Sequence, residues 1–92
     1  MIKIKKKDVE AVANFWGRNM PMMACEEMAE CIQAISKLER SLNFGSELNN
    51  LYDNLTKEIA DVYISLGAIS AIYGITDKDI QEAVDNKLKK EY

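Results

Sequence analysis

The chain of 92 residues contains no histidine, a single proline, four glycines and two cysteines. Without histidine there can be no Ser-His-Asp or Cys-His nucleophile pair, no imidazole acid–base step and none of the usual zinc ligand sets. Any chemistry must be carried by carboxylates, lysines or a metal that they hold. The sequence also lacks a run of about 18 uncharged apolar residues, which excludes a membrane-spanning helix. The opening Met1-Ile2-Lys3-Ile4-Lys5-Lys6-Lys7 is basic but has no apolar stretch and cleavage site behind it, so it does not read as a secretion leader. Nor is there an excess of positive charge. Twelve basic residues against fifteen acidic ones leave a net charge of −3, which argues against a nucleic-acid polymer as partner. Cys25 and Cys31 are six residues apart. On a helix that means about 9 Å along the axis and different faces, too far for a disulfide. Both are expected to be reduced, small apolar core residues of a cytoplasmic protein.

With so few helix breakers, what remains reads as a single all-α domain over residues 1–92. A first helix is expected from Asp8 to about Arg18, with Val9, Val12, Phe15 and Trp16 on one side. Pro21 suits the first turn of a second helix, where its missing N–H costs nothing. That helix should run to about Leu42 with Cys25, Met28, Ile32 and Ile35 inward, and Asn43-Phe44-Gly45-Ser46 should form a loop. A third helix is predicted from about Leu48 to Tyr73, ending on a left-handed Gly74. Thr76 caps a fourth, in which Ile80, Ala83, Val84 and Leu88 should face inward.

The third helix has the strongest periodicity. Leu55, Ile59, Val62, Leu66, Ile69 and Tyr73 form a bundle seam. From Ile59 onward the opposite side, including Ala60, Tyr63, Ile64, Gly67 and Ala68, is also apolar or small. A helix apolar nearly all round needs cover on every side. Four short helices of one chain cannot supply that cover, so a compact four-helix bundle completed by self-association, as a homodimer or tetramer, is expected.

Five acids stand out against this background. Glu26, Glu27 and Glu30 fall within little more than one turn of the second helix, and Glu58 and Asp61 repeat the i, i+3 spacing on the third. Like charges so placed repel, and an unpaired buried charge costs several kcal/mol. Antiparallel packing of the two helices would gather four carboxylates around one point, a cage suited to Mg²⁺ or, alternatively, Mn²⁺. Without Glu27, Glu30, Glu58 and Asp61 the net charge would be +1 instead of −3, so the acidity is concentrated here.

Glu26-Glu27-x-x-Glu30, a gap of 27 residues and Glu58-x-x-Asp61 resemble the E-E-x-x-E…E-x-x-D signature of the MazG-like all-α nucleoside triphosphate pyrophosphohydrolases. The segment Glu58-Ile59-Ala60-Asp61-Val62, its apolar continuation and Tyr73-Gly74-Ile75 resemble the family's approach to its last helix, and the likeness covers roughly Met20 to Lys90. The resemblance implies Mg²⁺-dependent hydrolysis of a nucleoside triphosphate to the monophosphate and pyrophosphate, with metal-activated water as the attacking group. It makes Glu27, Glu30, Glu58 and Asp61 the metal ligands. Glu26 and Glu27 become the catalytic acids, with Glu26 orienting water. Lys87, in the basic end of the last helix, stands as the phosphate contact or as part of a basic helix end that complements the dipole. Trp16 reads first as a core residue and alternatively as a stacking surface for a nucleobase. Two other classes stay open: a MazG-like regulator that binds nucleotide or metal without turnover, and a plain helical dimerisation module whose acids are incidental.

Overall fold

In the computed structural model, which describes residues 2–44 and 48–92, the helices begin and end where the few breakers stand. Helix α1 covers Lys6–Trp16, α2 Met20–Phe44, α3 Asn49–Tyr73 and α4 Asp77–Glu91. Among the described residues there are helices and no strands. Gly17 closes α1 at φ 54°, a conformation that strains residues with a Cβ. One 3-10 turn, Gly17–Asn19, then leads directly into α2, with Pro21 in its first turn as expected. Asn43 and Phe44 continue α2 where a loop was expected, while Gly45 and Ser46 lie outside the described residues. Gly74 ends α3 in the left-handed region, φ 69° and ψ 24°. Thr76 and Asp79 then form a reciprocal capping box at the start of α4, with both bonds 3.1 Å long.

Helices α2 and α3 form an antiparallel hairpin. Glu27 lies beside Asp61 and Glu30 beside Glu58, so each step forward along α2 is a step back along α3. Small side chains set the seam. Ala24 and Ala34 on α2, and Ser65 and Ala68 on α3, are buried, with Met20 and Leu38 as the larger pieces. Ala68 has no exposed surface at all. Helix α1 packs on one side of this hairpin through Val9, Val12 and Ala13. The fit is close at Gly67, where a Cβ would stand 3.3 Å from a Val9 methyl.

Several expected core faces are corrected by this arrangement. On α2 the buried stripe is Met20, Ala24, Ala34 and Leu38, whereas Ile32 is 67% exposed, and Ile35 and Cys25 are exposed as well. Cys31 is half-buried, and both thiols are free. On α3, Val62 and Ile69 are half-buried, but Ile59, Leu66 and Tyr73 of the expected seam are exposed. The reason is steric. The hairpin closes mainly through small residues, which let the two backbones approach, and Ile32, Ile35, Ile59 and Leu66 are turned to the hairpin's outer side. Phe15 is 78% exposed because α1 has its main neighbour, α3, on the Val9–Val12 side only. The inward placement of Ile80, Ala83, Val84 and Leu88 is also not met: α4 packs on no other described helix, and each of its residues is exposed. No single described helix is long and apolar enough to cross a membrane.

Candidate metal centre

The antiparallel register brings the acids of both helices to one level of the hairpin. Oxygen atoms of Glu27, Glu58 and Asp61 lie within 4.8 Å of one another, and all three side chains are half-buried. Glu30 is exposed but close enough to Glu27 and Glu58 to act on both electrostatically. Glu27 and Glu58 occupy seam positions, so the same periodicity that buries Ala24 and Ser65 draws these carboxylates inward.

Their environment penalises negative charge. Glu27 is raised above the ordinary carboxylate range, first by loss of water around it and then by the charges of Asp61, Glu30 and Glu58. A carboxyl–carboxyl hydrogen bond with Asp61, open only to a protonated group, pushes the same way. Glu58 is raised by desolvation, by the charges of Glu30 and Asp61, and by a side-chain hydrogen bond with Glu30. Glu27 Oε2 and Glu58 Oε2 are shielded from solvent and have no hydrogen-bond partner among the described residues. Among the described residues the ion pairs are Lys6–Glu10 and Lys87–Glu91, so no lysine or arginine neutralises the cluster. Two shielded, unpartnered carboxylate oxygens beside a third acid suit a hard, oxygen-seeking dication in both charge and donor type.

A cleft of about 120 Å³ adjoins the carboxylates. Glu27 and Asp61 form one end, Ser65 lies alongside them, and Val12, Trp16, Met20, Met23 and Ile64 supply apolar walls from three helices. Trp16, 37% exposed and edge-on to Phe15 at 5.1 Å, thus stands in the same cleft as two of the acids. Sequence reasoning missed the walls Val12, Met20, Met23, Ile64 and Ser65. For Ser65 a signal existed: a polar residue one turn after Asp61 within an otherwise apolar segment.

The remaining expected site residues are placed differently. Glu26 is exposed and lies outside the group of converging oxygens. Lys87 is not brought to the acids of its own chain. It sits on the unpacked α4, paired with Glu91 at 4.0 Å, where both side chains are largely in solvent. No protein-family model, no curated protein and no solved structure matches this chain.

Proposed function

We propose that this chain is a MazG-like, Mg²⁺-dependent nucleoside triphosphate pyrophosphohydrolase, with Mn²⁺ as an alternative ion. The observation that carries the reading is the pair of shielded, unpartnered oxygens of Glu27 and Glu58 beside Asp61. Glu27, Glu30, Glu58 and Asp61 would hold the cation. Bound there, it would neutralise phosphate oxygens and favour hydrolysis between the α and β phosphates. The protein's own part is positional. The cleft walled by Val12, Met23, Ile64 and Trp16 gives a planar ring an apolar surface next to the acids. Glu26, exposed one residue from Glu27, is free to orient or accept a proton from a water arriving from solvent. In this reading Lys87 meets phosphate only where α4 is carried to a cluster by assembly, and the working unit is a homodimer or tetramer. A reducing, cytoplasmic setting accords with the two free thiols.

The test is pyrophosphate release from a panel of ribo- and deoxynucleoside triphosphates, with Mg²⁺ and with EDTA. The expected products are monophosphate and pyrophosphate, lost in EDTA and in Asp61→Asn. Calorimetric binding of Mg²⁺ and nucleotide without turnover would identify a non-catalytic regulator instead. Absence of both binding and turnover would leave a helical association module.

A further inference from the structure

We infer that α4 is an arm exchanged between two copies of this chain. Its Ile80–Val84–Leu88 stripe lies on the partner's outer α2–α3 face, and the partner's α4 does the same in return. The starting point is an imbalance within α4. Its ends are built with care, by the left-handed Gly74 before it and the Thr76–Asp79 capping box at its start, yet it packs on no described helix. A helix of 15 residues standing alone is marginal in water, where isolated helices need about 12–15 residues of strongly helix-forming sequence even to be detected. Ile80, Val84 and Leu88 recur every four residues, form one stripe with Ala83, and are exposed. A stripe of this kind is made to be covered.

A matching surface lies on the hairpin. At 100° per residue, Ile59 and Leu66 project from α3 about 140° and 160° away from Ile64, on the side where α1 packs, and about 120° and 100° away from Ser65 in the seam, so they face neither neighbour. Because α2 runs antiparallel to α3, Ile32 and Ile35 fall on that same uncovered side, and all four are exposed. Thus α1 covers one side of the hairpin, and aliphatic side chains line the other.

The areas identify the occupant. The chain exposes 7471 Å². A compact monomer of 10.4 kDa exposes roughly 5,400 Å², so about 2,000 Å² per chain is in excess. Two copies would together bury about 4,000 Å², within the range of obligate homodimers at about 2,000–5,000 Å². The radius of gyration agrees, at 15.6 Å against about 12 Å for a compact chain of this length. A second copy supplies both missing halves at once, a face for α4 and a helix for the face, and two-fold symmetry makes the exchange reciprocal. The inference holds whether or not the carboxylates turn over nucleotide.

The experiment uses the full chain and no substrate. Sedimentation equilibrium at micromolar concentration should give twice 10.4 kDa or a multiple of that. A monomer mass with intact helical circular dichroism would overturn the inference and assign the faces to another partner. The double variant Ile80→Glu, Leu88→Glu should fall to monomer mass; unchanged association would remove α4 from the interface. A photo-crosslinker in place of Gln81, at the edge of the stripe, guards against variants that simply misfold. In a mixture of nitrogen-15-labelled and unlabelled chains it should give heavy–light products on α2 and α3 near Ile32, Ile35, Ile59 and Leu66. Products confined to single chains, or heavy–light products on α1, would overturn the exchange.

Discussion

The carboxylate level of the α2–α3 hairpin and the α4 helix are stabilised in opposite ways. The hairpin level is held by tertiary packing of small residues in spite of acids that repel, with two carboxylates raised above their ordinary range. Helix α4 is held by local bonds at its start, with no packing on any other described helix. In one region the global fold overrules local electrostatics, and in the other local signals run ahead of any global contact. Strain that packing sustains at one spot is a reservoir for ligand binding, whereas local order without packing is a reservoir for assembly.

The sharpest way to break this comparison is to neutralise one acid of the hairpin level. Under the proposed function, Asp61→Asn and Glu30→Gln should each lower turnover by about 100-fold or more, the scale seen when a preorganised electrostatic group is lost. Glu10→Gln, which removes only the exposed partner of Lys6, should stay within about twofold. Pyrophosphate release measures both. Equal, mild effects at all three positions would mean that the cluster has no catalytic part.

A second effect is read in stability. Mg²⁺ should stabilise the folded chain by mass action, by about 2.7 kcal/mol at a concentration 100 times its dissociation constant, and so raise the melting temperature. Asp61→Asn should melt higher than the native chain in EDTA, since it removes one of the charges pressing on Glu27 and Glu58, and should respond less to Mg²⁺. Strong destabilisation of Asp61→Asn, with no Mg²⁺ response in the native chain, would make Asp61 a structural acid.

Acidity gives a third and smaller effect, whose sign differs between the two regions. Glu27 and Glu58 are raised in the folded state. Their stabilising contribution is therefore fullest below the unfolded glutamate pKa of about 4.3, and it is lost as pH climbs through the folded values. Asp79 is lowered by the Thr76 N–H and hydroxyl bonds, so its contribution is present above the unfolded aspartate pKa of about 3.9 and lost as pH falls through the lower folded value. Metal-free protein should thus gain melting temperature on acidification from neutrality until the Asp79 cap begins to fail. Saturating Mg²⁺ should flatten that gain. A melting temperature that falls monotonically from pH 7 in EDTA would contradict the strained cluster.

What was legible in the sequence follows the same division. Helix ends could be read directly, because Pro21, Gly74 and the Thr76–Asp79 pair act through bonds within a few residues. The meeting of Glu27, Glu58 and Asp61 was also accessible, since spacing on two neighbouring helices fixes which acids share a level. Which apolar stripe faces which neighbour was not. Helices α2 and α3 each carry two stripes, one of small residues and one of branched aliphatics, and periodicity cannot rank them. Reading the larger side chains as core put Ile32, Ile35, Ile59 and Leu66 inside, although close approach at Ala24, Ala34, Ser65 and Ala68 decides the seam. The place of Lys87 was illegible for another reason: among the described residues no contact with another helix determines where α4 goes.

The smallest expected effect tests whether local order in α4 is linked to assembly. Thr76→Ala removes the hydroxyl that accepts the Asp79 N–H at 3.1 Å, and with it one half of the capping box. Such a loss costs about 1 kcal/mol of helix stability. In a free arm the cost would appear only as fraying of the first turn of α4, with a slightly weaker helical signal and no change in association. In an exchanged arm the helix must be formed before its stripe can be covered, so the same 1 kcal/mol is charged to assembly, about fivefold in the equilibrium constant for each arm. Thr76→Ser, which keeps the hydroxyl, should restore native behaviour. The measurement is sedimentation equilibrium over a dilution series, comparing Thr76→Ala, Thr76→Ser and the native chain. A native association constant in Thr76→Ala, with α4 visibly frayed by circular dichroism or amide exchange, would separate the arm from the interface. A weaker constant rescued by serine would tie the cap to the second copy. The hairpin level should be indifferent to the substitution, since Thr76 lies on no element packed against Glu27, Glu58 or Asp61, and an unchanged Mg²⁺ melting shift would show that the two regions are energetically separate.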